Sequence, residues 1–188
     1  IEQEGYQADD LIGTYARLAE QAGFFVIMVT GDKDFIQLIT ERCIIWDPMK
    51  DILIDRQSVL ETYGIEPRQM ADVLGLAGDS ADNIPGVPGI GQKTAVSLLK
   101  DHADMASLYA HIDSLKSGKQ REKLLAYKDQ AFLSRDLAAI NTRIEVPFDL
   151  DTFRHKPEDP DKLGRLFQEL EFRQLQQAYP AVKEEAPH

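Results

Sequence analysis

The sequence predicts an α/β fold whose second part is mainly helical. Three observations carry this. A helical apolar period over residues 8–23 runs straight into a continuous apolar stretch at 24–29; two short β-type runs joined by a turn follow at 43–55; and from Gln57 onward the pattern is mostly helical.

In ADDLIGTYARLAEQAG, Leu11, Tyr15, Leu18 and Ala22 recur at helical intervals, acids stand in the first turn where the helix dipole favours them, and Gly23 is a stop. FFVIMV is apolar at every position and partly β-branched, as expected of a strand buried on both faces of a parallel sheet. TGDKDF then forms a polar strand end. CIIWDPMKDILID divides into two short strands about a turn at 47–51, with Pro48 fixing the turn. Asp55 is placed to cap the helix RQSVLETYG, which Gly64 ends, and Pro67 suits the first turn of PRQMADVLGLAG. Helices are expected over 92–100, 105–112, 120–127 and 130–138, with INTRIEV returning as one more strand. HKPEDPDK reads as a proline-broken acidic linker and LGRLFQELEF as an amphipathic helix with Leu163, Leu166, Phe167 and Leu170 on one face; AVKEEAPH reads as a frayed end.

With 43% hydrophobic and 28% charged residues over 188 positions, global disorder is excluded. The longest apolar run is far too short to span a bilayer and no signal-peptide pattern precedes it, so a membrane location is not expected. The single cysteine, Cys43, cannot form an internal disulfide and fits a reducing cytoplasm. IEQEGYQADDLI reads as the interior of a chain, so a preceding N-terminal portion is expected. A net charge of −11 argues against nonspecific binding to nucleic acid, unless the acids gather at a site where bound cations cancel them.

Three close aspartate pairs suggest such a site: Asp9 with Asp10, Asp32 with Asp34, and Asp79 with Asp82. Each alone has a structural reading, as helix-dipole partners, an N-cap or a loop tie. Together they weaken it, because Asp32 and Asp34 follow the carboxyl end of a strand, where open α/β sheets place ligands. Carboxylates gathered without cations also repel and raise one another's pKa. Oxygen ligands in number suit magnesium or manganese, and no Cys/His cluster offers a zinc site. Just beyond, GVPGIGQKTA places Gly86, Gly89 and Gly91 before a helix beginning near Gln92, with Lys93 and Thr94 in its first turn. Free N–H groups, a cation and a hydroxyl there suit a phosphate. The spacing is not that of a Walker loop, since Gln92 separates Gly91 from Lys93. Metal-ligating carboxylates beside a phosphate-gripping turn suit a phosphodiester backbone.

At this point the residues resemble a known family, the 5′-nuclease domain of bacterial DNA polymerase I in the flap endonuclease superfamily. The likeness rests on GYQADDLIGTYA, VTGDKDFIQLI, YGIEPRQMADVLGLAGDSADNIPGVPGIGQKTAVSLL and LFQELEFRQL, in that order. The resemblance implies part of a PIN-like α/β nuclease core over 1–56, a helical subdomain with a helix-two-turn-helix DNA-binding module over 57–146, and a C-terminal linker and packing helix over 147–188. It implies that Asp9, Asp10, Asp32, Asp34, Asp79 and Asp82 are the catalytic metal ligands, holding two magnesium or manganese ions. Gly86, Gly89, Gly91, Gln92, Lys93 and Thr94 would bind DNA, and carbonyls around Pro85, Val87 and Ile90 would hold a potassium ion. The implied partners are 5′ flaps and nicked or duplex ends of DNA, the N-terminal portion of the same domain, with its first strand, further acidic ligands and basic arch, and a following polymerase domain. Gln7 departs from the family's EADD pattern, placing an uncharged amide where a glutamate is usual. With the arch absent, this chain alone is expected to bind DNA weakly and not to cut it.

Two rival readings stand beside this one. A haloacid-dehalogenase-like phosphatase has a late acidic motif like GDSADN, but it needs an early D-x-D-x-[TV] strand, absent here, and has no use for the glycine turn. A non-catalytic DNA-binding module with a decayed metal site would keep the turn, and Gln7 favours it; saturable magnesium or manganese binding separates the two.

Overall fold

Helix α1 (Ala8–Gln21) begins at Gln7, whose backbone is extended (φ −79°, ψ 157°) and whose N–H donates to Asp10 Oδ2 at 3.3 Å. The computed structural model describes residues 1–116 and 118–179, so the AVKEEAPH end lies outside the described residues. Leu11, Gly13, Thr14 and Ala16 form the buried side of α1, and Gly23, at φ +96°, turns the chain into β1 (Val26–Val29). β1 pairs in parallel with β2 (Cys43–Asp47), and β2 pairs antiparallel with β3 (Ile52–Ile54), giving the order β1-β2-β3. The crossover between β1 and β2 is a 3-10 helix, Lys33–Leu38.

The apolar run at 24–29 is not a strand buried on both faces. Met28 is 5% exposed, but Ile27 is 51% and Val29 59% exposed, and Phe24 and Phe25 are exposed too. Side chains alternate across a strand, and here only one face is covered: Met28 joins Phe35, Ile36, Cys43 and Ile45 in the core. The register sets Ile27 opposite Ile44, Val29 opposite Trp46, and Trp46 opposite Leu53, so these residues share the other face, where Trp46 and Leu53 are exposed.

The expected strand INTRIEV does not form. Its backbone is instead satisfied by α1: Asn141 N–H donates to Asp10 Oδ1 at 2.8 Å, Ile144 N–H reaches Thr14 Oγ1 at 3.4 Å, and Arg17 Nε donates to Thr142 O at 2.7 Å. Gly13 permits the approach, since a Cβ there would stand 2.9 Å from Ile140 Cγ2. Side-chain partners have replaced a neighbouring strand as the answer to these backbone groups.

In the helical part, Asp55 caps α2 (Arg56–Tyr63) by accepting from Ser58 N–H at 2.8 Å, and Gly64 ends it in the left-handed region (φ +71°). The 3-10 turn Pro67–Gln69 leads into α3 (Met70–Ala77), buried along most of its length. There follow α4 (Gln92–Leu99), α5 (Met105–Ala110), a 3-10 turn Ile112–Ser114, α6 (Lys119–Ala126) and α7 (Lys128–Ala138). Two buried polar residues of α3 and its lead-in serve neighbouring helix ends. Gln69 Nε2 donates to Leu99 O at 3.0 Å and His102 O at 2.7 Å, and Asp72 accepts from Met105 N–H at 3.1 Å. α7 packs closely on α3, since a Cβ on Gly75 would lie 2.9 Å from Ala131 O.

Residues 1–147 form one compact unit and the chain from Phe148 a second. In the second, Asp159 accepts from Lys162 N–H at 3.1 Å and Pro160 opens α8 (Pro160–Glu169), so the helix starts inside the stretch expected to be linker. α9 (Arg173–Ala178) follows; Leu166 and Leu170 remain exposed.

Candidate metal centre

Asp32 and Asp34 stand where β1 ends. Asp32 N–H donates to Thr30 Oγ1 at 3.1 Å, and Asp32 Oδ1 accepts from Asp34 N–H at 2.9 Å, starting the 3-10 helix. Asp79 and Asp82 arrive from a small hairpin, β4 (Gly78–Asp79) paired antiparallel with β5 (Ile84–Pro85), whose turn carries Asn83 at φ +56°. Asp79 is 5% exposed. Its Oδ1 accepts from Ala81 N–H at 2.8 Å, and its Oδ2 lies 2.8 Å from Lys33 Nζ, an ion pair that leaves this oxygen without a directed hydrogen bond.

One carboxylate oxygen from each of Asp34, Asp79 and Asp82 lies within 4.8 Å of the others. Burial, reinforced by Asp32 and Asp79, pushes the Asp34 carboxyl up to about 6, while Lys33 holds Asp79 below the ordinary carboxylate value. Asp9 is raised by burial and then by Asp32, Asp10 and Asp82, so the first turn of α1 shares this acidic field. Asp10 is turned to another use: its two oxygens accept from Asn141 and Gln7 N–H, joining α1 to the extended segment after α7. Gln7 is the exposed N-cap of α1.

The donor set fits a hard divalent cation. Among the described residues the cluster is all carboxylate oxygen, and Asp34 Oδ1 is buried with no hydrogen-bond partner. A buried charged oxygen left unpaired is costly unless a cation completes it.

The glycine turn leaves directly from β5. Gly86 is required by packing, because a Cβ there would stand 2.2 Å from Ala77 C and Gly78 N. α7 latches the turn: Gln130 Nε2 donates to Gly86 O at 2.6 Å and the Ser134 hydroxyl donates to Pro85 O. Val87 O accepts from Ile90 N–H at 2.9 Å, so two of the three carbonyls expected to hold potassium are engaged within the chain. Gly91, extended and facing open space, precedes α4 with no side-chain cap, leaving Gln92, Lys93 and Thr94 in its first turn. Lys93 is exposed and Thr94 half-buried.

Two cations escaped sequence reasoning. Lys33 lies between two predicted ligands, and only the fold shows that it reaches Asp79. Lys123, from α6, lies over the glycine turn with Nζ 2.7 Å from where a Cβ on Gly89 (φ +85°) would be. Nothing in the spacing of Gly89 and Lys123, 34 residues apart, marks their contact.

Family models match the chain over two consecutive stretches: residues 1–64 match the 5′-3′ exonuclease N-terminal resolvase-like domain, and 65–161 the 5′-3′ exonuclease C-terminal SAM fold. DNA polymerase I of Rhizobium leguminosarum is 42% identical over 175 residues, covering 93% of this chain and 17% of that protein. The Bacillus caldotenax DNA polymerase I is 42% identical over 193 residues, 99% of this chain and 22% of the relative. The thermostable DNA polymerase I of Thermus filiformis is 37% identical over 187 residues, 100% and 22%. The chain thus spans about a fifth of the length of these relatives. Among solved structures, the T5 5′-exonuclease with bound divalent metal ions (zinc) superposes with a TM-score of 0.66 at 23% identity, covering 76% of this chain and 53% of that one. A T5 flap endonuclease in a pseudo-enzyme-product complex with DNA and metal ions gives the same four values. At that identity the likeness is one of fold.

Proposed function

The chain belongs to the 5′-3′ exonuclease family, and from that premise we propose that it is part of a metal-dependent 5′-3′ exonuclease and flap endonuclease acting on DNA 5′ ends and flaps in replication and repair. The observation that carries this reading is the convergence of Asp34, Asp79 and Asp82 from two separate segments, with a buried oxygen left unpaired among them. Asp34, Asp79 and Asp82 would hold a divalent ion, magnesium or manganese, and Asp9, Asp10 and Asp32 extend the acidic field that suits a second. Divalent metal supplies polarisation of the scissile phosphodiester and a water of lowered pKa. The chain's own residues do the rest. Amide groups in the first turn of α4, the Lys93 ammonium and the Thr94 hydroxyl grip a backbone phosphate without reading bases, and Lys123 over Gly89 adds a second cation to that surface. Residues 1–56 serve as the PIN-like core and 57–146 as the helix-two-turn-helix module, with 147–188 a C-terminal linker and packing helix. Potassium at the hairpin would use the Ile90 carbonyl and the remaining lone pairs of Pro85 and Val87.

The partner segments follow from the same reading. The uncovered face of β1, β2 and β3, together with the open edge of β1, supports packing of an N-terminal portion of the nuclease domain there, and the likeness to DNA polymerases I supports a following polymerase domain. No helix among the described residues is long and apolar enough to cross a membrane, and the buried thiol of Cys43 suits a reducing cytoplasm.

Calorimetric titration of the purified chain with manganese tests the site. Saturable binding that Asp79→Asn weakens at least about tenfold is expected; no binding by the folded chain, or binding indifferent to Asp79→Asn, overturns the metal-site reading.

A further inference from the structure

Lys33 is the only cation paired with the carboxylate cluster among the described ion pairs. Its ammonium covers Asp79 Oδ2, and the other oxygen, Oδ1, already accepts from Ala81 N–H. Oδ2, which accepts no directed hydrogen bond, is the Asp79 oxygen less engaged within the chain. The partners differ in freedom: the Asp79 side chain is 4% exposed, whereas that of Lys33 is 52% exposed and reaches in from solvent.

The Lys50–Asp47 pair, at 2.7 Å, offers a contrast. There the carboxylate also accepts from Met49 and Lys50 N–H groups, forming a satisfied turn with no orphaned neighbour. Asp79 instead lies beside Asp34, whose buried Oδ1 has no partner, and beside Asp82. One monovalent charge cannot satisfy three carboxylates, and an ammonium in contact with a divalent ion would be repelled.

We propose that Lys33 is the built-in counter-cation of the metal-free cluster, and that it releases Asp79 when divalent metal binds. Lys33 holds the two acid-bearing segments, the end of β1 and the β4–β5 hairpin, together while no metal is present, and it competes with the metal for Asp79 Oδ2. This deepens the metal-site reading above and rests on it.

Lys33→Met removes the ammonium and keeps the apolar stem; Lys100→Met, in the α4 C-cap, controls for the change in net charge. Manganese titrations at fixed ionic strength should show Lys33→Met binding several-fold to about tenfold tighter than the parent and Lys100→Met unchanged within about twofold. Equal or weaker binding by a folded Lys33→Met chain overturns the proposal while leaving the metal site standing; no binding by any variant removes both. A second readout needs no destabilising change. With lysines reductively methylated with carbon-13, the Lys33 resonance, assigned by its loss in Lys33→Arg, should move to the position of solvated lysines as magnesium saturates. A resonance that stays put while metal binds means the ion pair survives, and the proposal fails.

Discussion

At the level of single residues, Asp34 has a buried carboxylate oxygen with no hydrogen-bond partner. Its ordinary value is 3.8 and burial with neighbouring acids lifts it to about 6 in the fold, so between those values the folded chain holds a proton that the unfolded chain has lost. Folding therefore weakens as pH rises through this window, and the full penalty is present above about pH 6. In metal-free protein, Asp34→Asn should raise stability at neutral pH by about 1–2 kcal/mol, after discounting for solvent screening, with the gain gone below pH 3.8. Denaturant melts at the two pH values check this; an equal gain at both would detach the effect from the carboxylate charge. The aspartates could be picked out as candidates from spacing and chemical type. Their separate uses could not: Asp10 ties α1 to Asn141, a residue 131 positions away, and no local pattern reports that bond.

At the level of elements, the β4–β5 hairpin decides where two of the acids and the glycine turn sit, because it carries Asp79 and Asp82 and leads straight into Gly86 and α4. The two glycines that bracket this turn answer different needs. Gly86→Ala would drive a methyl into the backbone of Ala77 and Gly78, and should destabilise by more than about 3 kcal/mol. Gly91→Ala enters open space with φ −94° and should change stability by less than about 1 kcal/mol. Thermal or urea melts of both variants test this, and comparable losses would contradict the packing described. Capping signals at Asp55, Gly64 and Pro67 were readable because they act within one turn. INTRIEV misled because its β-branched composition matches a strand, while its backbone partners are α1 side chains more than a hundred residues earlier.

At the level of the whole molecule, the three-stranded sheet presents Ile27, Val29, Trp46 and Leu53 to solvent beside the β1 edge, which pairs with no further strand among the described residues. Uncovered apolar sheet faces and free edges favour association. Sedimentation velocity should show concentration-dependent self-association that Leu53→Lys reduces, with stability unchanged within about 0.5 kcal/mol because Leu53 is 60% exposed. A monomer at all concentrations would overturn the expected self-association, and a large stability loss would show that Leu53 is covered. By itself the amino-acid order determined the helices α1 to α7 and the two strands Cys43–Asp47 and Ile52–Ile54, and it marked the aspartates as candidate cation ligands, because propensity, capping and ligand chemistry act over a few residues. Only the tertiary structure decided which face of β1 is covered, which oxygens meet within 4.8 Å, that Lys33 reaches Asp79 and that Lys123 lies over Gly89, because burial and charge pairing depend on groups that sequence distance does not bring together.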